Sequence, residues 1–386
     1  MERGMFLYPW DVMDYGMDET IKQLKSMKIT YVSLSVLYHA AKVLLPHNPK
    51  HHLYINEGGT CFYEFNPENY ERLAPKKDRL LDSYNGDFLK DVIAHFHKAG
   101  IRVCAWTVIF HNDYLAKKYK DCALFNCYGE SSPTNLCPSN PEVYSYGMNV
   151  IREISSLGAD EIHLESVDYA GFLHGDHHEM QAYEDTESLD RLLGVCYCSH
   201  CREASQKEGM DVDKFLELTK NEMKAFFNFK GEALEHSLYE QLLSSYLGMR
   251  QKRIASFYKD VKEMLREQEL NTKVKPLLWL AAKSNPLLYG VDISRLESDT
   301  DGAIAAYPDS PDDVKDFVSG LKRMVSEQYK ITGGIRLMAP HTTKISQVKQ
   351  YMDEYKRSNL NDIIFYNYGM APWAFLEQLK ENGYEA

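Results

Sequence analysis

Three thiols fall within six residues at Cys196-Tyr-Cys198-Ser-His-Cys201, the densest group of cysteines in the chain. A turn of backbone with that spacing wraps around one tetrahedral ion, and zinc suits such a set of thiolates. The fourth ligand has to come from another segment. Cys122, Cys127 and Cys137 offer it; Cys127 is taken as the fourth, and His200 is the weaker substitute. Four protein thiolates leave no open position, so the expected Zn2+ is structural and fastens one loop to another.

Carboxylates form the second set. Glu161-Ile-His-Leu-Glu165 reads as a strand whose alternation turns His163 and Glu165 to one face and Ile162 and Leu164 to the other. An inward carboxylate is costly to bury unless it pairs with a cation such as Arg336 or does acid–base work. Glycoside hydrolysis uses two carboxyl groups. Asp168 and Asp309 are the expected partners of Glu165, with Asp11 a further candidate that can equally cap a helix. Around them stand aromatic residues at strand ends, Trp10, Tyr38, Trp106, Trp279, Tyr307 and Tyr366, whose flat faces suit pyranose rings. Asp11, His39, His111, His163, Arg336 and Asn367 are expected to read the hydroxyls. A divalent ion held by His174, Asp176, His178 and Glu165 is a minor alternative.

These residues need elements to hold them in place. Short β-branched or aromatic runs alternate with segments of helical periodicity throughout the chain. Strands are predicted at Met5–Pro9, Thr30–Leu37, Arg102–Phe110, Glu161–Ser166, Lys275–Ala281, Gly302–Tyr307, Gly334–Met338 and Asp362–Tyr366. Helices follow at Met17–Met27, Phe88–Ala99, Glu142–Leu157, Asp312–Val325, Ile345–Arg357 and Trp373–Glu381. Lys98-Ala-Gly100 and Ser156-Leu-Gly158 end helices before strands, and Asp309-Ser-Pro311 opens one. Eight strand–helix units predict an α/β fold of the (β/α)8 TIM-barrel type, with a doubly wound open sheet as the alternative. A barrel takes about 250 residues, so roughly 130 are left for long loops after strands two, three and four. The last of these carries amphipathic stretches at Val212–Asn228 and Tyr239–Arg266, a helical, zinc-binding insertion over 170–270 within a single domain of 1–386. All three loops belong to the strand C-terminal face, where barrel enzymes keep their active sites.

A strand ending in Glu165, followed in the next long loop by Cys196-x-Cys198-x-x-Cys201 with a further cysteine upstream, resembles the zinc-bearing β-galactosidases of glycoside hydrolase family 42. The resemblance implies that Glu165 is the general acid/base and that the cysteines hold a structural zinc. The chain departs from that pattern. Leu164 stands where the family has Asn, and Gly333-Gly-Ile-Arg-Leu-Met-Ala-Pro340 lacks the strand-seven Glu that serves the family as nucleophile. His174-Gly-Asp-His-His178 ahead of the cysteines is similar to a group of little-characterised glycosidase-like barrels.

Composition narrows the remaining classes. With 44% hydrophobic and 12% aromatic residues over 386 positions, the chain can bury a large core. Forty-four basic residues against 56 acidic ones give a net charge of −12, which repels nucleic acid and anionic membranes. The first residues lack the basic and apolar regions of an export signal, so a cytoplasmic location without disulfides is expected. No GxxxxGK[ST], GxGxxG, GxSxG or HExxH motif is present. The resulting expectation is a glycoside hydrolase acting on a small carbohydrate, with a sugar lyase or isomerase and a non-catalytic carbohydrate-binding barrel as alternatives. Exposed aromatics in the helical insertion would permit a homo-oligomer.

Overall fold

A computed structural model describes residues 2–172, 183, 185–231, 233–279, 286–360 and 362–381, without the side chains of 186, 279 and 381. Eight parallel strands close on themselves. They are β1 (Glu2–Leu7), β2 (Tyr31–Tyr38), β3 (Arg102–Val108), β4 (Glu161–Glu165), β5 (Lys273–Trp279), β6 (Ala303–Ala306), β7 (Ile331–Arg336) and β8 (Asp362–Tyr366). Each pairs with its sequence neighbours, and β8 and β2 both pair with β1, which closes the (β/α)8 barrel and excludes the open sheet.

Two apolar clusters follow from the period-2 alternation of the strands. The outward residues, among them Leu34, Val103, Ile162, Ile335 and Phe365, pack against the helices. The inward residues Phe6, Tyr8, Tyr31, Cys104, Trp106, Leu277, Ile304 and Ile364 fill the barrel. Alternation breaks in β2, where the register slips between Ser35 and Leu37. Val36 and Leu37 consequently both pack outward and Tyr38 turns inward, a bulge that aims one aromatic ring into the mouth. Gly334 makes room for another ring, since a Cβ there would lie 2.9 Å from the ring of Tyr307.

Helices occupy the predicted places, Ile345–Arg357 and Trp373–Glu381 without any shift of boundary. The three long loops also fall where the surplus length put them. The loop after β2 carries the hairpin Ala41–Leu44/Leu53–Asn56, and the loop after β3 carries Ala123–Phe125/Ser131–Leu136. The loop after β4 is helical, with Thr186–Leu193, Ser199–Lys207, Val212–Phe227 and His236–Glu267. Ile254, Phe257, Val261 and Leu265 of the last of these join the outer core, so this 32-residue helix also covers the barrel wall. Among the described residues, no helix is long and apolar enough to cross a membrane.

Candidate active site

Glu165 ends β4 at the C-terminal mouth and is only 5% exposed. Trp106 of neighbouring β3 donates its indole N–H to Oε2, a charge-assisted bond that fixes the carboxylate. Three phenols adjoin it. The hydroxyl of Tyr8 lies 2.9 Å from that of Tyr38 and 3.1 Å from that of Tyr366, joining the ends of β1, β2 and β8. Burial pushes all three phenols up, and the Glu165 carboxylate adds to this for Tyr38 and Tyr366. Tyr307, at the end of β6, is raised by burial and then by the charges of Tyr366 and Glu165. The mouth is therefore an aromatic cup of neutral hydroxyls around one carboxylate. Tyr8 was not singled out from the sequence, although its parity with Phe6 on β1 marks it as inward.

Arg336 ends β7 beside Tyr307 and Tyr366, and its charge offsets only part of the rise that burial imposes on both phenols. No ion pair joins it to Glu165. On the other rim, the rings of His39 and His111 stack 4.4 Å apart at 6°, with Tyr38 stacked on His39 at 4.2 Å. Asp113 ties this corner together, accepting the Ala40 N–H at 2.8 Å with His111 Nε2 4.0 Å away.

Four expected substrate contacts are packed out of reach. His163 is fully buried below the mouth, bonded to Ser33 Oγ at 2.8 Å and 3.4 Å from Glu161. Alternation does turn it inward, but one step deeper than Glu165. Trp10 lies sandwiched between Tyr8 and Tyr54 at 4.4 and 4.1 Å, because the β2 loop folds over it. Asp11 is wholly buried and accepts the Tyr8 N–H at 2.9 Å, serving the helix Pro9–Tyr15 as a cap. Asn367 is also fully buried, its amide oxygen taking the Gly369 N–H at 3.0 Å. Of the other acids, Asp168 accepts the Ala170 N–H at 2.7 Å, and its charge acts on Tyr258 and Tyr289 on the insertion side. Asp309 stands 61% exposed on the loop after β6, 4.0 Å from His341. Trp279 has its backbone in β5 and its side chain outside the described residues, as are His174, Asp176, His178 and Lys283.

At the opposite end of the barrel lies a network the sequence reading missed. Lys275 meets Glu161 at 2.9 Å and Asp362 at 3.6 Å, Arg102 meets Glu161 at 3.1 Å, and Tyr31 and Thr332 donate to Asp362. Burial alone would raise Glu161, but the imidazole of His163 and the ammonium of Lys275 hold it well below the usual carboxylate range. Burial lowers the basicity of His163, so Lys275 is the standing counter-charge. Cys104, Glu161 and His163 converge here in a ligand-like way, yet the ammonium already occupies their carboxylate.

The cysteine cluster forms, with one correction. Cys137, not Cys127, joins Cys196, Cys198 and Cys201, and the four sulfurs lie within 4.8 Å of one another. Cys137 sits 3.4, 3.5 and 3.8 Å from Cys201, Cys198 and Cys196. Leu136 ends the hairpin strand that runs back to the barrel, and this carries Cys137 inward, whereas Cys127 lies at the far turn of the hairpin. Backbone N–H groups of Phe125 and Cys201 point at the sulfurs of Cys196 and Cys198.

A family model described as "Putative glycosyl hydrolase domain" matches residues 55–275, more than half of the chain. Three solved structures share the fold at low identity. One is a β-galactosidase from the psychrophilic Marinomonas ef1, with a TM-score of 0.57 and 11% identity over 99% of this chain and 58% of that one. A second is α-L-fucosidase isoenzyme 2 from Paenibacillus thiaminolyticus, at 0.56 and 9% over 99% of this chain and 48% of that one. A third is the catalytic domain of a β-amylase from Paenibacillus polymyxa, at 0.56 and 11% over 98% and 97%. The chain thus spans about half the length of the first two. No curated protein matches the sequence significantly.

Proposed function

The chain belongs to this glycosyl hydrolase domain family, and from that premise we propose that it cleaves a glycosidic bond at the barrel mouth with Glu165 as general acid/base. The observation that carries the reading is the Glu165 carboxylate, buried at the end of β4, bonded to Trp106 and ringed by Tyr38, Tyr307 and Tyr366. Buried carboxyl groups in apolar, aromatic surroundings are suited to giving a proton to a leaving oxygen near neutral pH. Asp168 is turned into its own loop, so the second carboxyl of the reaction falls to Asp309. The lyase or isomerase alternative is weakened by the burial of His163 below the mouth. The binding-only alternative is weakened because Glu165 and Arg336 form no ion pair.

We propose further that Cys137, Cys196, Cys198 and Cys201 hold a structural zinc ion. Tetrahedral sites with bonds of about 2.3 Å place sulfurs about 3.8 Å apart, close to the observed spacings. Arg250, fully buried and 4.5 Å from the Tyr169 ring beside the cluster, would balance part of the negative charge of four thiolates. The clip joins the loops after β3 and β4 and so steadies the wall of the mouth nearest Glu165. A cytoplasmic location belongs to the same proposal.

A panel of aryl glycosides, assayed with wild type and Glu165→Gln, tests the reading. Cleavage by the wild type alone supports it, and equal cleavage by both proteins overturns the role of Glu165.

A further inference from the structure

Arg336 occupies the end of β7, facing the same tyrosines as Glu165. Its Nε–H is out of reach of water and has no acceptor, and its guanidinium makes no ion pair with any described residue. A guanidinium held this way, half-buried and unneutralised, forgoes the charge-assisted bonds for which Arg is suited. Carboxylates are not scarce, since the chain carries 56 acidic against 44 basic residues. At the barrel's other end the fold neutralises Lys275 with two of them.

One cation without a counter-ion among the described residues thus stands at the mouth beside Tyr307 and Tyr366. A neutral sugar offers donors and acceptors in equal measure and would leave the charge uncompensated. An oxyanion would not.

Resting on the hydrolase reading, we propose that Arg336 is a specificity-determining residue and that the substrate is a glycoside bearing an anionic group on the sugar held at the mouth. The group is a carboxylate, as in a uronic acid, or a sulfate ester; both present paired oxygens to a guanidinium fork.

Calorimetric binding of methyl glucuronide, methyl glucoside and inorganic sulfate to wild type, Arg336→Lys and Arg336→Gln tests this, alongside hydrolysis of aryl glucuronides, aryl glycoside sulfates and neutral aryl glycosides. The expected result is that wild type binds the glucuronide or sulfate roughly 10- to 100-fold more tightly than the glucoside. Arg336→Gln should lose that preference and Arg336→Lys should keep part of it. A preference for sulfate over the glucuronide identifies a sulfated sugar. Equal binding of charged and neutral sugars by wild type, or a preference that survives Arg336→Gln in a folded protein, overturns the proposal. Cleavage of neutral glycosides only would overturn it and leave the hydrolase reading standing. Anion binding through Arg336 with no glycoside cleaved would sustain the subsite and sink the hydrolase reading.

Discussion

Trp106 donates its indole N–H to the carboxylate of Glu165 across neighbouring strands β3 and β4. The indole also packs against Phe6, Tyr8 and Tyr38, at 4.9, 5.3 and 4.8 Å between ring centroids. One side chain thus aims the acid and builds the wall around it. Trp106→Phe keeps most of the wall and removes the donor, so it should lower kcat by roughly 10-fold or more through misorientation of Glu165. Glu165→Gln should cost about 10²- to 10⁴-fold. Steady-state rates on the same glycoside check both, and a Phe variant as fast as wild type would show that the bond has no part in catalysis.

Cys137 and Cys127 share a loop, and only Cys137 reaches the other thiols. Cys137→Ser should therefore abolish zinc binding and reduce stability, while Cys127→Ser should leave the metal content at about one per chain, as a closed thiolate site requires. Atomic absorption of the two purified variants separates them. Loss of metal from Cys127→Ser would restore the sequence-based choice of ligand.

Lys275 is the counter-charge of a buried group rather than a surface partner. Lys275→Met would leave Glu161 with Arg102 as its one cation and Asp362 with hydroxyl donors alone, and should destabilise the fold by about 3 kcal/mol, read from urea unfolding. Glu161 has a depressed folded pKa, so its pairing contributes stability above its unfolded pKa of about 4.3, lost as pH falls. The wild-type unfolding midpoint should accordingly decline below that pH, and much less steeply in the variant.

Asp11 has the opposite sign. Burial raises its pKa to about 7 against bonds from the Tyr8 and Gly369 backbone, so the folded state holds a proton that the unfolded state releases near pH 4. Its contribution is complete below about pH 4 and falls by up to about 4 kcal/mol as pH rises to 7, at 1.36 kcal/mol per unit. Asp11→Asn keeps an acceptor for Tyr8 and cannot ionise. Its unfolding midpoint should exceed that of wild type at pH 8, and a lower midpoint there would refute the assignment.

The barrel could be read from the sequence because its signal is local. Strand alternation, Gly-terminated helices and eight repeats of one unit fixed the elements, and the surplus length marked the loops that build the mouth. Glu165 was legible for the same reason, as an inward residue at a strand end ahead of a long loop. Parity along a strand tells inside from outside and says nothing of depth, which is why His163 was expected in the pocket and lies beneath it. Nor does sequence reveal what a loop covers. Trp10 was expected as a sugar platform and is roofed by Tyr54 from a hairpin more than forty residues away.

The sequence by itself determined which side chains line the barrel and that three thiols act together. Only the tertiary structure chose Cys137 as the fourth, joined Tyr8 to Tyr38 and Tyr366, set Lys275 between Glu161 and Asp362, and left Arg336 without an anion among the described residues. Those pairings join segments tens to hundreds of residues apart. Closure of the sheet and packing of the loops bring them within bonding distance, and no periodicity along the chain encodes which partners will meet.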